Sequence, residues 1–146
     1  MKYAGFTKQE RTFITLMRVW MVAFFGTGIL FATIPNILLN YINDIGKVFV
    51  GWHSPPIASG GYFWLVLAVA LLAILTYSCA LAQASPLRNF GYARLIIISK
   101  FISAIGFAAL LYINGKQFYY LVGAVIDGLI FIITLGVYIK ASKSRG

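Results

Sequence analysis

Acidic residues are nearly missing from this chain, with three Asp and Glu against twelve Lys and Arg in 146 residues. There is one cysteine, Cys79, and one histidine, His53. A lone cysteine excludes an intramolecular disulfide and any multi-cysteine metal site. Within an apolar run it reads as a small buried hydrophobe. One histidine cannot supply a bis-histidine haem or a zinc centre unaided, so His53, beside Pro55 and Pro56, reads as a surface residue. Charge of either sign is scarce, at 10% of residues, where a soluble domain carries ~25%. The chain has no paired-carboxylate site, no nucleophile–base pair and no CxxC motif. Gly26-Thr27-Gly28 lacks the strand and turn of a nucleotide loop and reads as helix packing.

What the chain has is apolar surface: 61% of residues are hydrophobic and the mean hydropathy is +0.89. A soluble domain of this size would leave much of that surface in water. The composition therefore excludes an ordinary soluble domain, a disordered chain and a nucleic-acid-binding module. A single-domain integral membrane protein remains, with the bilayer as its first partner.

Four runs are long enough to cross a ~30 Å hydrocarbon core, which takes about 20 helical residues. They cover about 18–39, 62–84, 94–113 and 118–139, and the last two form a hairpin through Asn114-Gly115-Lys116. The expected fold is an all-α four-helix membrane bundle. The net charge of +9 does not call for nucleic acid. Ten of the twelve cations cluster in the N-terminus through Arg18, in Arg88 to Lys100 and in the tail from Lys140. This is the positive-inside pattern, and it predicts cytoplasmic N- and C-termini in a bacterial inner membrane. The charged stretch before the first run is long and no convincing cleavage site follows it, so a cleaved signal peptide is not expected. Aromatic belts fit the same boundaries, with Tyr41, Trp64, Tyr112, Tyr119 and Tyr120 outside and Trp20, Tyr92 and Tyr138 inside.

The first outer loop carries a short amphipathic helix. Ile42, Ile45, Phe49 and Trp52 recur at helical spacing, with Asn40, Asn43, Asp44, Lys47 and Gly51 mostly opposite. The simplest placement lays it in the outer interface, apolar side toward the membrane. Pro35, with Asn36 and Asn40, predicts a kink near the outer end of the first span.

Lys100 and Asp127 interrupt the last two spans, and a charge inside a bilayer costs about 2.5–3.5 kcal/mol even on a lenient scale. Lys100 shares a stripe with Ser103, Ala104 and Ala108. Asp127 is one turn from Gly123 and flanks Ala124, Gly128, Ile132 and Gly136. Small residues four apart let helix backbones approach, so both charges are expected to point at other helices. Counted from the span edges, the two differ in depth by roughly 9 Å. That gap favours a Lys100 that snorkels to the inner surface near Arg94 and Arg18, ahead of a direct pair with Asp127 or a bound ligand. Asp127 is too short to snorkel. It reads first as a hydrogen-bonded packing group, through Thr33 or a water, in which case asparagine would replace it. The second reading is proton, ion or ligand work.

The chain also resembles a family. Phe63-Trp64 opens a span that closes on Ala-Ser-Pro-Leu-Arg at 84–88. A third span follows with an early Lys100 and then Ile105-Gly106-Phe107, and a fourth carries Asp127. Phe31 to Pro35 fit the same outline. This arrangement is similar to that of the DoxX-like small four-helix membrane proteins, some of which are associated with quinol-linked oxidases or thiosulfate oxidation. The resemblance implies a respiratory partner and transfers no catalytic residue. Three functions follow as expectations. The first is a non-catalytic accessory or scaffolding subunit of a larger membrane complex, or a homo-oligomer, with no cofactor of its own. The second is a quinone- or lipid-binding oxidoreductase component with Lys100 and Arg94 near a head group. The third is a small transporter or proton pathway centred on Asp127.

Overall fold

A computed structural model of the chain describes residues 6–52, 62–114 and 117–143. The expectations for His53, the loop that follows it, the Gly115-Lys116 turn and the Trp64 side chain fall outside those residues. Among the described residues five helices follow one another: α1 Lys8–Thr33, α2 Pro35–Val50, α3 Tyr62–Ala84, α4 Pro86–Asn114 and α5 Phe118–Lys143. No strand occurs among the described residues. All but α2 are long and apolar enough to cross a membrane. The all-α four-helix bundle with one short extra helix is therefore the fold, and by length and composition the chain is a multi-pass membrane protein. Apolar runs take this form because lipid offers no partner for backbone N–H and C=O groups, which a helix satisfies internally.

The first span differs from its expected limits of about 18–39. α1 starts at Lys8 because Thr7 and Glu10 form a reciprocal cap. The Thr7 hydroxyl accepts from the Glu10 N–H at 3.2 Å and Glu10 Oε2 accepts from the Thr7 N–H at 2.7 Å. Each satisfies a donor that a helix start leaves bare. At its other end α1 stops rather than kinks. A residue before proline is pushed out of the α region, and Ile34 sits at φ −136°, ψ 46°. Pro35 then opens α2 at a position where a missing N–H is harmless. α2 ends on Gly51, whose φ of +67° is the left-handed conformation that glycine adopts freely.

At the opposite end of the bundle, Ser85 O accepts from the N–H groups of Arg88 and Asn89 at 3.2 and 2.9 Å. Asn89 kinks the start of α4, at φ −114°, ψ 17°. Its side chain donates to Leu81 O at 2.8 Å, which ties α4 back to α3. This is the basic end of the molecule. α1 packs chiefly on α3 and α4 on α5, and the α3–α4 contact joins the two pairs. The core lies toward the basic end, built from Phe13, Met17, Leu75, Cys79, Ile96 and Ile130 with their neighbours. Cys79 is fully buried there, as a small hydrophobe should be. Only 17% to 22% of the residues in each span's most apolar stretch are buried within the chain, so most of them keep some surface outside it.

Candidate functional site

α4 and α5 run antiparallel in a register set by small residues. Ser103 stands opposite Asp127, and one turn farther from the basic end Phe107 lies against Gly123. Toward the basic end, Phe101 and Phe131 meet with ring centroids 5.1 Å apart. Lys100 is three residues before Ser103, so it sits only about 4.5 Å from the level of Asp127. That is half the offset expected from the span edges, and an extended lysine stem crosses it.

The two charges accordingly pair. Lys100 Nζ lies 2.7 Å from Asp127 Oδ1, with the side chains 10% and 11% exposed. Ser103 Oγ donates to the other carboxylate oxygen of Asp127. The ammonium also stands 4.9 Å from the Phe24 ring centroid, a cation–π contact from α1. Both carboxylate oxygens are thus occupied and the ammonium is covered by an aromatic face. Chemically the cluster binds three helices together and hides its charge from lipid.

This corrects several expectations. Lys100 does not snorkel toward Arg94 and Arg18, because Asp127 is within its reach and charge-assisted pairing is the stronger option away from water. Thr33 is not the partner of Asp127; its hydroxyl donates to Ile29 O at 2.8 Å on its own helix, and Ser103 takes that role. The stripe of Ala124, Gly128, Ile132 and Gly136 is not where helices approach. Among the described residues a Cβ on Gly128 or Gly136 would meet nothing within 4 Å, whereas one on Gly123 would come 2.8 Å from Phe107 Cδ2. Gly28 does pack against α3, its Cβ position lying 3.6 Å from Leu72 Cβ, while Gly26 is open.

Arg94 and Arg18 lie elsewhere, both exposed. Arg94 Nε donates to the Tyr138 hydroxyl at 2.7 Å. Arg18 Nε donates to Gln83 Oε1 at 3.1 Å, and Gln83 reaches on to Met21 Sδ at 3.3 Å. Trp20, expected in an aromatic belt, is half-buried and donates to Thr134 Oγ1 at 3.0 Å. Tyr41 and Tyr112 do face outward.

The residues of the short helix also divide differently. Its seat on the bundle is Asn43 and Gly46, both buried, against the start of α5. Asn43 Oδ1 accepts from the Tyr119 N–H at 3.3 Å, so a side chain of α2 caps α5. Glycine is required at 46, because a Cβ there would overlap the Phe118 side chain. Val48 and Phe49 are 81% and 80% exposed, the surface a membrane interface would receive. Asp44 pairs with Lys47 at 2.6 Å on the exposed side, Asn40 is half-buried, and Trp52 is half-buried beyond the helix end.

The sequence reading missed Glu10, which is fully buried. The Thr-x-x-Glu spacing at 7–10 was the available signal. It also missed the Ser103–Asp127 and Trp20–Thr134 bonds, which depend on a register that no local pattern reports. Beside the ion pair, on the side away from the basic end, an open groove of about 480 Å³ runs between α3 and α4. Leu71, Ser99, Ile102, Ser103 and Phe107 line it. Among the described residues no group of His, Cys, Asp and Glu could hold a metal ion. No protein-family model, curated protein or solved structure matches the chain.

Proposed function

We infer that the protein is a non-catalytic membrane subunit that packs against, and steadies, other transmembrane helices. The observation that carries this reading is the closed Lys100–Asp127–Ser103 cluster. A pair whose oxygens are taken and whose ammonium is covered by Phe24 holds a hairpin in shape. The outward surface supports it as well: Gly128 and Gly136 leave space on α5 that nothing among the described residues fills. The resemblance to DoxX-like proteins makes an electron-transfer complex the favoured setting, in a bacterial inner membrane with both termini cytoplasmic. The test is purification of the native protein in a mild detergent. Co-migrating haem- or flavin-carrying subunits support the reading; a chain that runs alone at every detergent strength sinks it.

One observation favours a second reading, a quinone- or lipid-binding component. The α3–α4 groove is apolar except for Ser99 and Ser103 and opens beside the ion pair. A quinone extracted from a lone oligomer, and lost with Ser103→Val, would favour that reading. The transporter reading requires the Lys100–Asp127 pair to open during turnover, and ion or proton flux in proteoliposomes is its test.

A further inference from the structure

Among the described residues the basic end gathers more exposed cations than acids. Arg18, Arg88, Arg94, Lys140 and Lys143 are all exposed there. The three acids lie elsewhere or inside: Glu10 and Asp127 are buried, and Asp44 sits on α2 at the far end with Lys47. Arg94, like Arg18 on Gln83, has a held side chain, and its guanidinium also lies against an aromatic ring. Its Nε is fixed by the Tyr138 hydroxyl at 2.7 Å, and its guanidinium carbon stands 5.8 Å from the Tyr138 ring centroid. Tyr138 is held in turn by Phe90, edge to face at 5.4 Å. Among the described residues the Nη groups of Arg94 have no partner, so a planar fork of donors is presented already oriented. Such a fork matches two oxygens of a phosphate.

Along the same face of α4, one and two turns farther from the basic end, come Ile98 and Phe101, which are 54% and 47% exposed. Phe101 meets Phe131 of α5 there. A held arginine fork thus stands at the head of an exposed apolar seam between α4 and α5. We propose that this seam binds an anionic glycerophospholipid, its phosphate on Arg94 and one acyl chain along Ile98, Phe101 and Phe131. A lipid fits better than an acidic protein because it brings the anion and the apolar chain together at this depth. A basic end also faces the leaflet richer in anionic lipid under the positive-inside rule.

The experiment uses the full chain in mild detergent, titrated with phosphatidylglycerol, with phosphatidylcholine and with inorganic phosphate, and read by native mass spectrometry. The expected result is retention of phosphatidylglycerol over phosphatidylcholine, with inorganic phosphate failing to displace it at equal concentration. Arg94→Gln weakens that retention about tenfold, the size of one charge-assisted contact. Tyr138→Phe, which keeps the ring and frees the arginine, weakens it about threefold. Lys143→Gln, on an unheld cation, changes it less than about twofold. Equal binding of the two lipids overturns the proposal and leaves the cations to a protein partner. Displacement by phosphate alone overturns the lipid assignment. Equal losses for Arg94→Gln and Lys143→Gln reduce the effect to unspecific surface charge and overturn it too. Should Arg94→Gln not fold, the comparison of Tyr138→Phe with Lys143→Gln decides in the same way.

Discussion

Phe107 lies so close to Gly123 that a methyl group on the glycine would come within 2.8 Å of the ring's Cδ2. That contact, one turn from Asp127, helps fix the register in which Lys100 can reach its partner. Gly123→Ala should therefore destabilise the protein by about 1–3 kcal/mol, as overpacking does. Unfolding in mixed micelles, followed by circular dichroism, measures it. Combining it with Phe107→Ala should cost clearly less than the sum of the two single losses, because the ring that clashes is gone.

Two other glycines should behave in opposite ways. At Gly46 an added Cβ overlaps the root of the Phe118 side chain, which cannot swing aside. Gly46→Ala should lift α2 from its seat, read as faster proteolysis between α1 and α3. At Gly136 nothing lies within 4 Å, so alanine should leave the isolated chain unchanged or raise its stability by up to ~1 kcal/mol. Gly136→Leu should nonetheless weaken assembly with a partner, if one packs there. Equal protease sensitivity of the Gly46 and Gly136 alanine variants would remove the account of α2.

The orientation has a direct test. A reporter fused after Gly146 should read cytoplasmic, and one inserted near Ser59 should read external. The reason is the crowding of nine cations, with Lys100 set aside as the inner partner of Asp127, on one side of the proposed membrane. An external C-terminal reporter would mean that the spans are miscounted.

At Lys100 the two charge outcomes should separate sharply. Lys100→Glu places two carboxylates together where Asp127 is 11% exposed, and folded protein in the membrane should fall to a small fraction of wild type. Lys100→Arg keeps the cation and should retain more. Equal yields for the two would place the site in water.

How much of this was legible in the sequence follows from the range of each interaction. The four spans depend on composition, and the amphipathic period of α2 is local, so both can be read directly. The early start of α1 was legible in Thr7 and Glu10, though it is easily passed over when hydropathy sets the boundaries. The Lys100–Asp127 pair was legible only as the alternative behind snorkelling, because it turns on a three-residue offset between two helices. Span edges judged from Arg94 and Ile139 place that offset wrongly. The seat of α2 was hidden for a related reason. Its polar side holds the residue that caps α5, so the usual rule of apolar side inward fails where a helix start needs an acceptor.

The central claim is that Lys100 and Asp127 form one structural unit, and a double-mutant cycle on unfolding free energy tests it most directly. Asp127→Asn leaves an uncompensated buried ammonium and should lose about 3 kcal/mol, although the carboxylate read as a lone hydrogen-bonder would have tolerated the amide. Lys100→Met should lose a similar amount by stranding the carboxylate. The double variant removes both charges and lets the amide keep the Ser103 hydroxyl as its donor, so it should recover at least half of the combined loss. Losses that simply add, to within about 0.5 kcal/mol, would contradict the pair as the element that locks α4 to α5.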